Sequence, residues 1–210
     1  MAHLLQLDSS ISGDRSVSRA LTARAAAAWR AANPGGTVGY RDLGADPVPH
    51  LDATAWTARL TPEANRTPEL AAAARIGEEL VKEVLAADVV LLGLPLYNYG
   101  APSSVKAWVD RIIAGAGDDP KVLGGRELVV LASRGGGYQE GAPRHGWDHA
   151  EGWLPHGLSL TGLAPRFITA EFTLADVNPA LAEFRGRAAE SLAAAEAAID
   201  RLWAPVGVGR

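Results

Sequence analysis

Between Asp88 and Pro95 lies an unbroken apolar stretch, Val89-Val90-Leu91-Leu92-Gly93-Leu94. A run without alternation predicts a strand covered on both faces, which places it inside a parallel sheet with helices above and below. Pro95 ends the run, and Pro102 stands where the first turn of a helix tolerates a missing N–H. The loop Leu96-Tyr97-Asn98-Tyr99-Gly100-Ala101 therefore leaves the carboxyl end of a central strand. In open parallel sheets ligands bind at that edge. An ordinary strand-to-helix connection would carry the same punctuation.

The rest of the chain alternates in the same sense. Strands are predicted at His3–Leu7, Thr37–Leu43, Glu127–Ala132 and Arg166–Phe172. Helices are predicted at Arg19–Ala32, from Thr67-Pro68-Glu69 onward, at Ser103–Ala114, and over Val177–Trp203. Thr67 is a hydroxyl cap followed by proline and an acid, and Leu70, Ile76, Leu80, Val84 and Leu85 supply that helix with an apolar face. Asp148 to Leu163 reads as helix interrupted near Pro155, and Phe184, Leu192, Ile199 and Leu202 are candidates to face the sheet. Residues 44–66 form a long connection, in which Trp56 and Leu60 suggest short helical pieces packed on the body or on a partner. Pro205 and the glycines after it read as a loose tail. Five strands alternating with helices predict one α/β domain over residues 1–210, an open parallel sheet with helices on both faces.

Two more polar loops fall at strand ends. Ser9, Ser10, Ser12, Ser16 and Ser18 cluster between the first strand and the first helix. A single capping serine explains one of them. A helix N-terminus offers free N–H groups and partial positive charge, so phosphate binding explains the group, with Arg15 or Arg19 adding charge. The loop is neither a Walker loop nor Gly-x-Gly-x-x-Gly. After the fourth strand comes Ser133-Arg134-Gly135-Gly136-Gly137-Tyr138, where glycines permit close backbone approach to a flat ligand, or form a flexible turn.

Composition narrows the chemistry. The 210 residues contain no cysteine, which removes disulfides, thiolate metal sites and thiol redox chemistry. A net charge of −4 gives no reason to expect nucleic acid. No apolar run approaches the roughly 18 residues of a membrane span, and the first strand begins too near Met1 for a signal peptide. A cytoplasmic protein without a membrane partner is expected. Gly-x-Ser-x-Gly and His-Glu-x-x-His are absent. His145, His149 and His156 lack companion ligands in the sequence, so no metal site is expected, although His145 is a candidate proton donor.

The string Pro95-Leu96-Tyr97-Asn98-Tyr99-Gly100-Ala101-Pro102-Ser103-Ser104-Val105-Lys106-Ala107-Trp108 closely resembles the flavin loop of the FMN-dependent NADH:quinone oxidoreductases, also called azoreductases. The serine loop resembles that family's phosphate loop. Ser133-Arg134-Gly135-Gly136-x-Tyr138 resembles its second ring-binding loop, and Phe167-Ile168-Thr169-Ala170-Glu171 its fifth strand. The resemblance implies a flavodoxin-like, doubly wound sheet of order 2-1-3-4-5, whose switch point lies between the first and third strands. It implies FMN held by Ser10, Ser16, Val17 and Ser18 at the phosphate, and by Pro95, Leu96, Tyr97, Asn98, Tyr99, Ser133, Arg134, Gly135, Gly136 and Tyr138 at the ring. It places Lys106 near the flavin loop, where a solvated helix lysine is the plainer reading. No side chain is assigned as catalytic, because the chemistry is the flavin's.

The same resemblance implies hydride from NADH or NADPH, two-electron reduction of quinones, cleavage of azo compounds, and a homodimer with sites at its interface. Trp56, Trp108, Trp147 and Trp153 are placed by the sequence around the carboxyl edge, where a partner would roof the crevice. One departure stands out: the family's Thr-Phe-x-Tyr segment is missing after Asp110-Arg111-Ile112. That segment borders the flavin site in the family, so pocket size and substrate preference are this chain's own. A flavodoxin-like electron carrier and a flavin-free interaction module are the alternatives on the same fold.

Overall fold

The structure is a computed structural model and describes residues 1–204. The tail from Pro205 lies outside the described residues. Five strands form one parallel sheet: β1 (His3–Asp8), β2 (Thr37–Asp42), β3 (Val89–Pro95), β4 (Glu127–Ser133) and β5 (Pro165–Ala170). Their order is β2-β1-β3-β4-β5, as expected, with every pairing parallel. Every residue of β3 is buried, which is what its unbroken apolar run requires of a strand at the centre.

Side chains alternate across the sheet, so its two faces carry two cores. Leu4, Leu91, Val129, Leu131 and Ile168 meet α1 (Val17–Ala32) and α6 (Arg185–Asp200) through Leu21, Ala25, Trp29, Ala195 and Ile199. Leu5, Leu7, Val90, Leu92 and Val130 belong to the opposite core. That core includes Leu80, Val81 and Val84 of α3 (Pro68–Ala86), Val105, Trp108 and Ile112 of α4 (Ser103–Gly115), and Leu154 and Leu158 of α5 (His149–Ser159). A short α2 (Ala53–Leu60) lies in the long connection. Thr67 caps α3 by accepting the Leu70 N–H, and the side chain of Asp148 caps α5 by accepting from Ala150 and Glu151.

Several local expectations are corrected. α5 runs unbroken through Pro155. The proline forfeits one N–H bond, but Leu154 and Leu158, both fully buried, hold that turn by packing. The last segment opens with a 3₁₀ stretch, Pro179–Phe184, and becomes α-helical only at Arg185. Phe184 stacks on Phe172 at 5.1 Å instead of facing the sheet, and Leu192 is exposed. β5 stops at Ala170, leaving Phe172 outside it at a left-handed φ of 57°. Leu85 is also exposed. Trp108 is fully buried in the core, so it is not at the roof of the crevice; Trp56 and Trp147 are each 50% exposed.

Candidate active site

Register decides which loops meet. Asp8 pairs with Gly93, and Pro95 pairs with Ser133, so β1, β3 and β4 end level with one another. Their loops emerge along one edge at the point where chain order reverses, between β1 and β3.

The serine loop and the tyrosine loop touch there. Ser9 donates to the Gly93 carbonyl at 2.6 Å, the Ser10 and Tyr97 hydroxyls lie 3.2 Å apart, and the Ile11 N–H donates to the Tyr97 oxygen. Tyr97 and Gly100 exchange backbone bonds across a tight turn, with Asn98 and Tyr99 both at positive φ, 48° and 64°. A tyrosine in the left-handed region is strained, at about 1 kcal/mol or more. The turn is held by that pair of bonds and by the Tyr99 carbonyl, which accepts the His149 N–H at the start of α5.

A cavity of about 190 Å³ lies between these loops. At one end it is lined by Ser10, Ser12, Arg15, Ser16 and Val17, and at the other by Pro95, Leu96, Tyr97, Ser133 and Gly135. Ser16 is the N-cap of α1, its hydroxyl accepting the Arg19 N–H at 3.3 Å. The Val17 and Ser18 N–H groups that follow belong to the first helical turn, which has no preceding carbonyls to bond. Among the described residues Arg15 has no carboxylate within 4 Å, while Arg19 is committed to Asp42 through two 2.7 Å bonds and to the Ser10 carbonyl. Of the two arginines proposed to add charge, only Arg15 faces the cavity. The arrangement offers hydroxyl and N–H donors with positive charge to an anion, in the same cavity as the apolar surface of Pro95, Leu96 and Tyr97.

Other residues singled out by sequence sit apart from this cavity. Ser18 is fully buried behind Ser16, with the two hydroxyls 3.1 Å apart. The Arg134 side chain turns away, into Asp148, Glu151 and Glu171. Its Nε is 2.6 Å from an Asp148 oxygen, a close ionic contact whose N–H direction falls short of a hydrogen bond. These three carboxylates keep the guanidinium protonated although burial opposes its charge. Glu171 also accepts the Tyr138 N–H at 2.9 Å, so the cluster pins the glycine loop from below. Tyr138 is buried, 6.4 Å from Tyr99 ring to ring. Asn98, Tyr99, Gly136 and Tyr138 do not line the cavity. Lys106 pairs with Asp110 and lies 5.8 Å from the Trp153 ring. His145 is exposed in its loop, and no group of three or more metal-ligating side chains occurs among the described residues.

Thr173 and Leu174 also line the cavity, and the sequence reading missed them. They arrive because Ser133 pairs with Ala170, after which the Thr173 N–H donates to the Arg134 carbonyl and Leu174 to Gly135. Only the β4–β5 pairing reveals this, and nothing in the local composition signals it.

Comparison with known proteins agrees with this geometry. The model of the flavodoxin-like fold family matches residues 2–197. A protein of Frankia casuarinae named FMN-dependent NADH:quinone oxidoreductase is 45% identical over 190 residues, covering 88% of this chain and 90% of its own length. This chain belongs to the FMN-dependent NADH:quinone oxidoreductase family. A member from Streptomyces avermitilis is 44% identical, with 87% of each chain covered. Among solved structures, an azoreductase of Bacillus anthracis superposes with a TM-score of 0.81 at 20% identity, over 97% of this chain and 99% of its own. A second from that species, a FMN-dependent NADH-azoreductase solved in complex with FMN, gives 0.74 at 20% identity, over 96% and 100%. At such identity these two speak for the fold. No helix among the described residues is long and apolar enough to cross a membrane.

Proposed function

We propose that this chain is a single-domain, cytoplasmic FMN enzyme that takes hydride from NADH or NADPH and reduces quinones by two electrons, with reductive cleavage of aromatic azo compounds as a further activity. One observation carries the reading. A single cavity at the switch point joins Ser10, Ser16 and the N-terminus of α1 to Pro95, Leu96, Tyr97, Ser133 and Gly135. The names of the relatives support it.

The residues present fit FMN. Ser10 and Ser16, the open N–H groups of the first turn of α1 and Arg15, which has no carboxylate within 4 Å among the described residues, match a phosphate. Pro95, Leu96, Tyr97 and Leu174 offer apolar surface to a ring, and Gly135 lets backbone approach its edge. When bound, FMN supplies the redox chemistry, accepting hydride and passing electrons to the acceptor. The protein's part is to hold the phosphate, orient the ring and leave one face accessible.

Tyr99 and Trp147, whose rings meet at 5.4 Å on the loops beside that cavity, are partly exposed, as is Trp56 on α2. We propose that an isologous two-fold homodimer covers the cavity, the 44–66 connection and the start of α4 meeting the partner. With one accessible face, nicotinamide and acceptor take turns, giving ping-pong kinetics.

Purified protein is expected to show a flavin absorbance spectrum and to oxidise NADH steadily with a quinone and no partner protein. A flavin-free protein that takes up no FMN would remove the assignment, and dependence on a partner protein would favour the carrier. Parallel double-reciprocal lines are expected, and converging lines would replace turn-taking with a ternary complex. Light scattering across a dilution series tests the dimer, which a persistent monomer mass with full activity would exclude.

A further inference from the structure

On the far side of the glycine loop lies a second cavity, of about 380 Å³. Its walls are the loop after β4 and the segment leading from β5 into α6. The cavity described above uses Gly135, Thr173 and Leu174, whereas this one uses Gly136, Gly137 and Phe172. The loop is thus a thin wall between two compartments, and nothing in the proposed flavin chemistry employs the outer one.

Its lining has a specific character. Phe172 and Phe184 stack at 5.1 Å with 21° between their planes. The Arg187 guanidinium lies 4.6 Å from the centre of the Phe172 ring, and Arg144 stands on the opposite loop. Among the described residues neither arginine has a carboxylate within 4 Å, although eight other arginines in this chain do. Pro143 and Leu181 contribute apolar surface, and Glu140 is the one acid in the lining. Two cations against one carboxylate leave room for a single negative charge on a ligand.

Backbone strain marks the same place. Phe172 holds φ at 57°, a conformation rare and strained for a large side chain. Its N–H donates to the Gly136 carbonyl at 3.2 Å and its own carbonyl accepts from Ala175 at 2.8 Å, which together hold the conformation. The glycine loop lies directly on the ring: a Cβ at Gly137 would come within 2.3 Å of Phe172. The strained backbone sets the ring as a rigid floor between loop and cavity.

We propose that this cavity binds a small planar aromatic compound carrying one carboxylate, its ring against the Phe184 side and its charge between Arg144 and Arg187. A volume of this size holds one or two fused rings. Planar guanidinium groups pair with a carboxylate while stacking on aromatic faces.

Calorimetric titration of the full chain, loaded with FMN so that the inner cavity is filled, tests this with 2-naphthoate and its neutral isostere 2-naphthamide. The acid is expected to bind one per chain and about tenfold tighter than the amide, a difference of about 1.4 kcal/mol. Arg144→Gln and Arg187→Gln are each expected to weaken the acid about fivefold or more and to leave the amide unchanged. Both arginines are exposed, so thermal unfolding is expected to stay near that of the parent. Because the two lie on separate walls, loss of packing over Phe172 in one variant does not explain an effect in the other. Equal binding of acid and amide, no binding of the acid, or an acid affinity untouched by both substitutions would each overturn the site.

Discussion

The Tyr97 hydroxyl lies 3.2 Å from the Ser10 hydroxyl and 3.2 Å from the Ile11 backbone nitrogen, joining the loop of β3 to the loop of β1. The contact crosses the switch point of the sheet and forms part of the wall of the candidate site.

Tyr97→Phe removes these bonds while keeping the ring. Each is worth about 1 kcal/mol net. FMN affinity is expected to fall about fivefold with only a small loss of stability, read by titration of the apoprotein and by urea unfolding. Unchanged affinity would show that the hydroxyl does not shape the pocket.

Ser16 is both a helix cap and a lining residue, and two substitutions separate the roles. Ser16→Ala loses the cap at a cost of about 1 kcal/mol, whereas Ser16→Gly keeps most of it. Both remove the hydroxyl. If the hydroxyl contacts phosphate, FMN binding weakens by about 1–2 kcal/mol in both variants. Affinity restored in the glycine variant would leave capping as its sole role.

Arg134 is only 10% exposed and surrounded by three carboxylates. Arg134→Met strands those charges, and breaking a buried ionic cluster from one side costs about 3–5 kcal/mol. Chemical denaturation is expected to show that loss. Glu171→Gln, which leaves the cation with Asp148 and Glu151, is expected to lose less.

The Arg19 guanidinium holds the Asp42 carboxyl down to about 2, chiefly through their hydrogen bonds. Its folded value is below the ordinary 3.8, so the stabilisation is complete above about pH 4 and is lost as pH falls toward 2. Screening at this partly exposed site reduces the amount to about 1 kcal/mol. Asp8 has the opposite sign: burial raises its carboxyl, so its contribution declines as pH rises past about 4. Asp42→Asn is expected to flatten the acid limb of a plot of unfolding free energy against pH, and an unaltered limb would contradict the assignment.

Gly115 and Gly77 let α4 and α3 cross in backbone contact. A Cβ on Gly115 would come within 2.3 Å of the Gly77 carbonyl carbon, which cannot move aside. Alanine would gain up to about 1 kcal/mol of helix propensity, but overpacking costs about 1–3 kcal/mol and prevails. Gly115→Ala is expected to lower the melting temperature by several degrees.

Much of this molecule was legible in the residues. The unbroken run at Val89–Leu94 demanded a strand buried on both faces, and β3 is one. Thr67-Pro68 announced the start of α3, because a cap and a proline act within one turn. Ser10, Ser16, Pro95, Leu96, Tyr97, Ser133 and Gly135 were readable as neighbours of one cavity, since in a parallel α/β sheet the loops following the strands share an edge.

What stayed hidden was side-chain direction and long-range pairing. Arg134 and Gly135 are adjacent in sequence, yet only Gly135 reaches the cavity, because Asp148 and Glu171 draw the guanidinium the other way. Trp108 reads like an interface tryptophan but lies at zero exposure between α4 and the sheet. Thr173 and Leu174 enter the site only through the pairing of β4 with β5. Sequence patterns are set by forces acting over one turn or one strand: propensity, capping and burial. They determined the strands, helices and polar loops of this chain. The choice of which side of a loop each side chain takes depends on charges and backbone brought from distant segments, and tertiary structure alone decided it.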